Sequence, residues 1–340
     1  MSKIVCFGEL MLRLNPEGYL RFEQADKFMA TFGGGEANVA VSLANFGMDA
    51  SFCSKLPTHA IGNMAVRALR AEGVATADIV RGGERVGIYY IEKGASQRPS
   101  KVIYDRKYSA IGMASREDFD WDKILCDTVW FHFTGITPAL GDNVAEICLD
   151  AVKACRAKGI KISCDLNFRK NLWTSEKAGK VMGELMQYVN VCIANEEDAD
   201  KVFGIKPDHN DVDSGKLNRE GYIDVAKKLS ERFGCEKVAI TLRESISAND
   251  NNWAAMLYDG EKAYFSKKYA VHIVDRVGGG DSFSGGIIHG LLTKPNQGAA
   301  LEFAVAASAL KHTINGDFNL VSTEEVEALA GGDASGRVQR

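Results

Sequence analysis

The residues best placed for chemistry are two glycine triplets, each followed by an acid and a helical pattern. The first, Gly33-Gly34-Gly35-Glu36-Ala37-Asn38, leads into a run that is helical from Glu36 to Phe46 and stops at Gly47. Bare backbone there lets a ligand approach closely, and Asn38 in the first turn offers both a donor and an acceptor. The second, Val277-Gly278-Gly279-Gly280-Asp281, frees the amides at a helix N-terminus. Unpaired N–H groups and the positive dipole end suit a phosphate there. Asp281 can cap that helix, or point its carboxylate at a hydroxyl beside the phosphate and take its proton. Taken singly, each cluster also fits a plain loop and cap. The second lacks the lysine of a G-x-x-x-x-G-K-[ST] P-loop, and neither completes G-x-G-x-x-G, so a dinucleotide site is unsupported.

Holding two distant helix starts requires a scaffold, and the chain reads as one. Ile4–Phe7, Ala50–Ser54, Thr128–Thr134, Ile160–Asp165, Val189–Ala194 and Lys237–Thr241 are short, apolar and bounded by turn or charged residues, as buried strands are. Between them, Asn143–Lys158 and Gly221–Phe233 carry apolar residues at helical spacing and end at Gly159 and Gly234. This alternation predicts an α/β fold with a parallel sheet covered by helices on both faces. Residues 9–32 and 84–112 break the rhythm with extended, aromatic-rich segments (Leu10–Leu14, Arg85–Glu92, Lys101–Arg106), the second set folding about Lys93-Gly94-Ala95-Ser96. They predict a small β layer projecting from the sheet edge. Lys206–Glu220 reads as a surface insertion and residues 331–340 as a flexible tail, leaving residues 1–330 as a single domain.

Composition bounds the partners. The 340 residues carry 41 Lys plus Arg against 45 Asp plus Glu, a net charge of -4, with 46% hydrophobic residues and 34 glycines. That is an ordinary globular composition, with no basic stripe to neutralise a nucleic-acid backbone. No stretch reaches the roughly 18 apolar residues of a membrane span, and the N-terminal apolar burst is too short for a signal peptide. The eight cysteines form no Cys-x-x-Cys pair and mostly lie in apolar runs. They read as reduced core thiols of a cytoplasmic protein whose partners are small molecules, neither nucleic acid nor membrane.

Together, the two clusters resemble the signatures of the ribokinase-like (PfkB) carbohydrate kinases. Gly33 to Gly47 is similar to their N-terminal sugar loop, Asp275 to Asp281 to their D-x-x-G-x-G-D segment, and Asn195-Glu196-Glu197-Asp198 to their N-x-x-E motif. Gly279 stands where that family usually has alanine, Arg276 where it has threonine, and Asp198 where it has glutamate. The resemblance implies a three-layer αβα sandwich with a mostly parallel central sheet, and a small β-sheet lid formed by about 9–32 and 84–112. It also implies a sugar kinase using ATP and Mg²⁺, with K⁺ as a further expectation, and a homodimer formed through the lid. Gly87-Ile88-Tyr89-Tyr90, Val102-Ile103-Tyr104-Asp105-Arg106, Asp165-Leu166-Asn167-Phe168-Arg169 and Phe131 to Leu140 resemble the 2-keto-3-deoxygluconate kinases in particular.

The resemblance implies a role for each of these residues. Asp281 accepts the proton of a primary hydroxyl, and the backbone of Gly278, Gly279 and Gly280 holds the charge on the transferring phosphoryl group. Gly34, Gly35, Asn38, Tyr89, Tyr104, Arg106, Arg169, Asp281 and Asp317 contact the sugar. An acidic sugar demands cations, and Arg106 with Arg169 could clamp its carboxylate, although a lone Arg or Tyr on a strand is as well explained by packing or a solvated edge. Asn167, Asn195, Thr241, Arg243, Gly278 and Gly280 hold the nucleotide, and Asp198 reaches Mg²⁺ indirectly, through water. One stretch departs from the family: after the strand ending at Thr241 a glycine-bearing loop normally covers the nucleotide, whereas here Leu242–Ala248 has no glycine. Arg243 either compensates by reaching a phosphate or pairs with an acid such as Glu244. A fructokinase or another neutral-sugar kinase, and a sugar-binding relative without chemistry, stay as alternatives.

Overall fold

The computed structural model describes residues 3–195, 197–207, 219–333 and 336. The chain opens with β1 (Lys3–Phe7), then β2 (Met11–Asn15) and β3 (Met29–Gly33), and enters α1 (Gly35–Asn45). It continues through β4 (Asp49–Leu56), α2 (Ala60–Ala71), β5 (Ile79–Arg81), β6 (Ile88–Glu92), β7 (Lys101–Asp105), the short α3 (Trp121–Ile124), β8 (Thr128–Thr134) and α4 (Asp142–Ala157). Then come β9 (Lys161–Asp165), α5 (Ser175–Leu185), β10 (Val191–Asn195), α6 (Asp198–Phe203), α7 (Arg219–Phe233), β11 (Lys237–Ser245) and β12 (Asp250–Tyr258). The last elements are β13 (Ala263–Phe265), β14 (Tyr269–His272), α8 (Gly279–Thr293), α9 (Gln297–Lys311) and α10 (Thr323–Gly331).

The main sheet runs β13-β12-β11-β10-β9-β8-β1-β4-β5, with β14 also pairing to β12. From β5 to β11 every pairing is parallel, and only the β11–β12 edge and its additions are antiparallel. Alternate residues of a strand point to opposite faces, so one strand feeds two cores. Val5 and Phe7 of β1 pack with Phe131, Ile147, Met182 and Leu229 beneath α4, α5 and α7. Ile4 and Cys6 pack with Leu43, Leu69, Phe283 and Leu301 beneath α1, α2, α8 and α9. This is the expected three-layer α/β arrangement. The predicted helix stops hold as well: Gly159 and Gly234 follow α4 and α7 with φ of 69° and 73°, a region in which a Cβ is strained. All eight cysteines are free thiols and seven are buried.

The second sheet is the expected small β layer, with four strands in the order β3-β2-β6-β7. The β6–β7 pair is antiparallel about residues 93–100, while β2 and β6 run parallel. Two readings change. Residues 242–248 are mostly strand, because β11 continues to Ser245 and pairs with β12, Arg243 opposite Trp253 and Ser245 opposite Asn251. The polar opening Asp250-Asn251-Asn252 disguises β12, whose buried Ala254–Tyr258 half is what ties it to the sheet. Residues 208–218 of the expected Lys206–Glu220 insertion, Glu196 and most of the 331–340 tail lie outside the described residues; Arg219 and Glu220 already belong to α7, and Gly331 itself ends α10.

Candidate active site

The site forms where the parallel strands end, the customary ligand crevice of an open α/β sheet. Gly33 closes β3 and Gly34 caps α1 for steric reasons. A Cβ on Gly33 would stand 1.8 Å from Asp317 Oδ2, and one on Gly34 1.9 Å from the Glu9 carbonyl oxygen. Asn38, one turn into α1, donates from Nδ2 to Asp281 Oδ2 at 2.7 Å and accepts the Gly34 N–H at 3.3 Å. Its amide therefore orients the acid of the second cluster, a connection the spacing did not reveal.

That second cluster makes the turn into α8. Gly278, at φ 83°, caps the helix, and a Cβ there would lie 2.1 Å from the Asp317 carbonyl oxygen. Gly280 meets nothing within 4 Å, so its side of the turn is open, and the first-turn amides of Gly280 and Asp281 have no helical acceptor. A Cβ on Gly279 would fall 2.4 Å from His312 Cε1. That ring is buried, accepts contact from Trp253 at 4.9 Å between centroids, and donates from Nδ1 to the Ser308 carbonyl at 2.6 Å. The glycine in place of alanine is thus the space His312 occupies.

Asp281 is half-buried, and desolvation pushes its carboxyl up to about 6 against the lowering pull of the Asn38 hydrogen bond. It lines a cavity of about 420 Å³ with Asp165, Asn167, Arg169, Asn195, Thr241, Arg243, Arg276, Gly278, Gly280, Asn251, Trp253 and Tyr104 among its walls. Tyr104 and Arg169 also line a neighbouring cavity of about 550 Å³ beneath β7, with Arg106, Lys107, Lys170 and Lys201. Burial, then the nearby Asp198 and Asp281, hold the Asp165 carboxyl well above the ordinary range. Asn167, just beyond β9, adopts φ 37° and donates its N–H to Asp165 Oδ1 at 3.2 Å, so the backbone is bent to present this strand end.

Several candidates are engaged differently from their predicted roles. Asp198 is buried behind the cavity wall, its Oδ1 taking the Phe168 N–H at 3.2 Å and its Oδ2 the Asn195 N–H at 3.3 Å. Asp165, which the sequence reading left unassigned, lines the cavity instead. Asn195 spends its side-chain oxygen on the N–H groups of Glu197 and Asp198, at 2.8 and 3.1 Å. Tyr89 is buried and donates its hydroxyl to Asp317 at 2.6 Å, and neither residue lines the cavity. Arg106 gives its Nε to Glu9 Oε2 at 2.8 Å, so one face of the expected clamp already holds an acid. Glu244 accepts from Lys268 at 2.7 Å and Asn252 at 2.8 Å, while Arg243 faces the cavity from the opposite side of β11. Arg276, a departure in the sequence, brings a second cation to that wall, its Nη2 held by the Ala248 carbonyl at 2.9 Å.

Arg13 escaped the sequence reading altogether. Fully buried on β2, it donates Nη1 to Asp317 Oδ1 at 2.7 Å and Nη2 to Asp275 Oδ2 at 2.6 Å. It thereby joins the small sheet to the segment that carries the glycine turn. Only its isolated position among apolar residues of β2 hinted at a buried partner. Among the described residues no group of three or more His, Cys, Asp or Glu side chains is arranged to hold a metal ion.

The pfkB family carbohydrate kinase model matches residues 1–323. A 2-dehydro-3-deoxygalactonokinase of Haloferax volcanii is 33% identical over 334 residues, covering 98% of each chain. A 2-dehydro-3-deoxygluconokinase of Bacillus subtilis is 27% identical, over 94% of this chain and 93% of the relative. Among solved structures, the 2-dehydro-3-deoxygluconokinase of Thermotoga maritima is 52% identical and superposes with a TM-score of 0.94, covering 97% of this chain and 98% of that one.

Proposed function

The chain belongs to the pfkB family of carbohydrate kinases, and we propose that it transfers the γ-phosphoryl group of ATP to the primary hydroxyl of 2-keto-3-deoxygluconate, giving the 6-phosphate. The observation that carries this reading is the company Asp281 keeps. One cavity gathers its carboxylate, the open α8 turn, Arg243 and Arg276, and it leads past Arg169 and Tyr104 into a second, cation-rich cavity. Two anionic substrates, a nucleotide and a sugar acid, fit such a pair of cavities. The names of the Thermotoga maritima and Bacillus subtilis relatives support the gluconate configuration, and that of the Haloferax volcanii relative points to its galactonate epimer.

In this reading Asp281, oriented by Asn38, takes the proton of the attacking hydroxyl as the bond to phosphorus forms. The amides of Gly280 and Asp281 meet the charge on the transferring phosphoryl group. Arg243 and Arg276 hold the donor phosphates, and Arg169 the sugar carboxylate, with Arg106 sharing its guanidinium between that carboxylate and Glu9. Mg²⁺ would fit beside these acids: burial, then the charges of Asp198 and Asp281, hold the Asp165 carboxyl above its ordinary range, and a divalent ion would offset both. Asp165, backed by Asp198 and Asn195, would order the waters of the ion, which when bound screens the phosphate charge. The small sheet closes over the sugar to exclude water. Its exposed edge strand β7, with Val102, Ile103 and Tyr104 in the open, supports pairing with a second copy, read by light scattering. Free, buried thiols support a reducing compartment, the cytoplasm.

The test is a coupled assay with ATP on 2-keto-3-deoxygluconate, its galactonate epimer and fructose, in sodium and in potassium buffers. Arg169→Ala is expected to lower kcat/KM for the sugar acids by about tenfold to a hundredfold, the scale of a lost charge-assisted contact, and to spare a neutral sugar. Preference of the wild type for fructose, or equal losses on both kinds of sugar, would overturn the sugar-acid assignment.

A further inference from the structure

Beneath the glycine turn lies a buried lysine that the mechanism above does not use. Lys311, the last residue of α9, is 0% exposed. Its Nζ donates to the Ile314 carbonyl at 3.3 Å, and among the described residues no carboxylate stands at ion-pair distance from it. A Cβ placed on Gly278 would come within 3.1 Å of Lys311 Cε, so the stem of this lysine runs directly under the turn. Burying an ammonium is costly, and a chain keeps one only where it is compensated or used.

The two nearest carboxylates are already engaged by other cations. Arg13 pairs with Asp275 and Asp317 at 2.6 and 2.7 Å, and Lys93 approaches Asp275 at 3.5 Å. Two cations thus already face two carboxylates before Lys311 is counted. Asp275 is further committed to the backbone, accepting the N–H groups of Val277 at 3.2 Å and Gly316 at 3.1 Å, which fixes the turn from below. The carboxylate left for Lys311 to balance is Asp281, which its charge reaches through space from the inner side of a turn whose outer side is open at Gly280.

Resting on the kinase reading, we infer that Lys311 acts as a built-in counter-charge for the transferring phosphoryl group. It works through the Gly278–Gly280 turn without touching either substrate, and is a positioning residue. Its field adds to that of the α8 amides in a site shielded from water, where a fixed charge acts strongly and needs no reorganisation. The same charge helps keep Asp281 ionised beside an incoming anion. Burial pulls the ammonium down to about 8, while Asp275, Asp317 and Asp281 pull it up and Arg13 opposes them, so it stays charged at neutral pH.

The experiment compares Lys311→Met and Lys311→Ala with a wild type first shown to phosphorylate the sugar; a wild type without turnover would fail the kinase reading itself, before any variant is compared. In Lys311→Met, kcat is expected to fall by about tenfold or more with the KM for the sugar held within about threefold, because the lost interaction belongs to the transition state. In Lys311→Ala, ammonium chloride is expected to restore part of kcat where sodium chloride at equal ionic strength does not. Wild-type turnover by the Met variant overturns the inference. So does a loss that matches the unfolded fraction by circular dichroism, an Ala variant indifferent to ammonium, or the failure of both variants to fold, which would make Lys311 a structural residue only.

Discussion

Removing the Asn38 amide tests the assignment of Asp281 as the base more sharply than removing the base. In the wild type the carboxyl lies at about 6, so about nine-tenths is ionised at pH 7 and kcat/KM should rise with pH through about 6 to a plateau. Asn38→Ala deletes a 2.7 Å hydrogen bond to the ionised form. A hydrogen bond to a charged group contributes about 1.5–3 kcal/mol, which at about 1.4 kcal/mol per unit raises the carboxyl by about one to two units. A raised carboxyl is protonated at higher pH, so the acid limb must move upward, to between about 7 and about 8. Activity relative to wild type should then be down about twofold to tenfold at pH 7 and by less than about twofold at pH 8.5. The assay is kcat/KM for the sugar at saturating ATP from pH 5.5 to 8.5. A limb that stays at the wild-type position, or a loss by the same factor at every pH, would refute the reasoning and leave Asn38 as a plain substrate contact.

Two further sites give outcomes from the same geometry. Asp281→Asn should cut kcat by at least about a hundredfold, the usual scale for a lost general base, with sugar binding by calorimetry nearly unchanged. The same variant should melt higher at pH 7.5. A carboxyl held near 6 in the fold against about 3.9 unfolded costs roughly 2–3 kcal/mol once ionised in both states, and that cost vanishes below both values. The gain in Tm should therefore disappear by about pH 3, and equal melting at pH 7.5 would show that the ionised carboxyl is not strained. Gly279→Ala, which installs the residue usual in the family, should destabilise by about 1–3 kcal/mol because its methyl meets a His312 ring wedged by Trp253 and Ser308. Adding His312→Ala should remove most of that methyl's cost in a double-mutant cycle, whereas simple additivity would mean that the ring is not the obstacle.

What could be read before folding was what local rules govern. The alternation of apolar runs and helical stretches gave the layers, since periods of 2 and 3.6 residues are imposed by the backbone itself. The glycine triplets likewise announced helix starts with accessible amides. The β11–β12 hairpin stayed hidden because its first residues, Asp250-Asn251-Asn252, are polar, and their place is decided by pairing with β11 rather than by propensity. Arg13 was barely legible for a related reason: its value lies in Asp275 and Asp317, far along the chain in the loops beside the glycine turn.

The sequence by itself thus determined the α/β class, the two glycine turns and the presence of an acid directly after the second. Only the tertiary structure decided how the polar side chains divide among competing partners. It set Asn38 against Asp281, engaged Arg106 with Glu9 and Tyr89 with Asp317, and brought Asp165 rather than Asp198 to the cavity wall. It also placed the buried Lys311 beneath the turn, its Nζ on the Ile314 carbonyl. Backbone conformation follows from neighbours in the chain, whereas the state of a buried charge depends on every group that folding packs around it, and those groups come from all parts of the sequence.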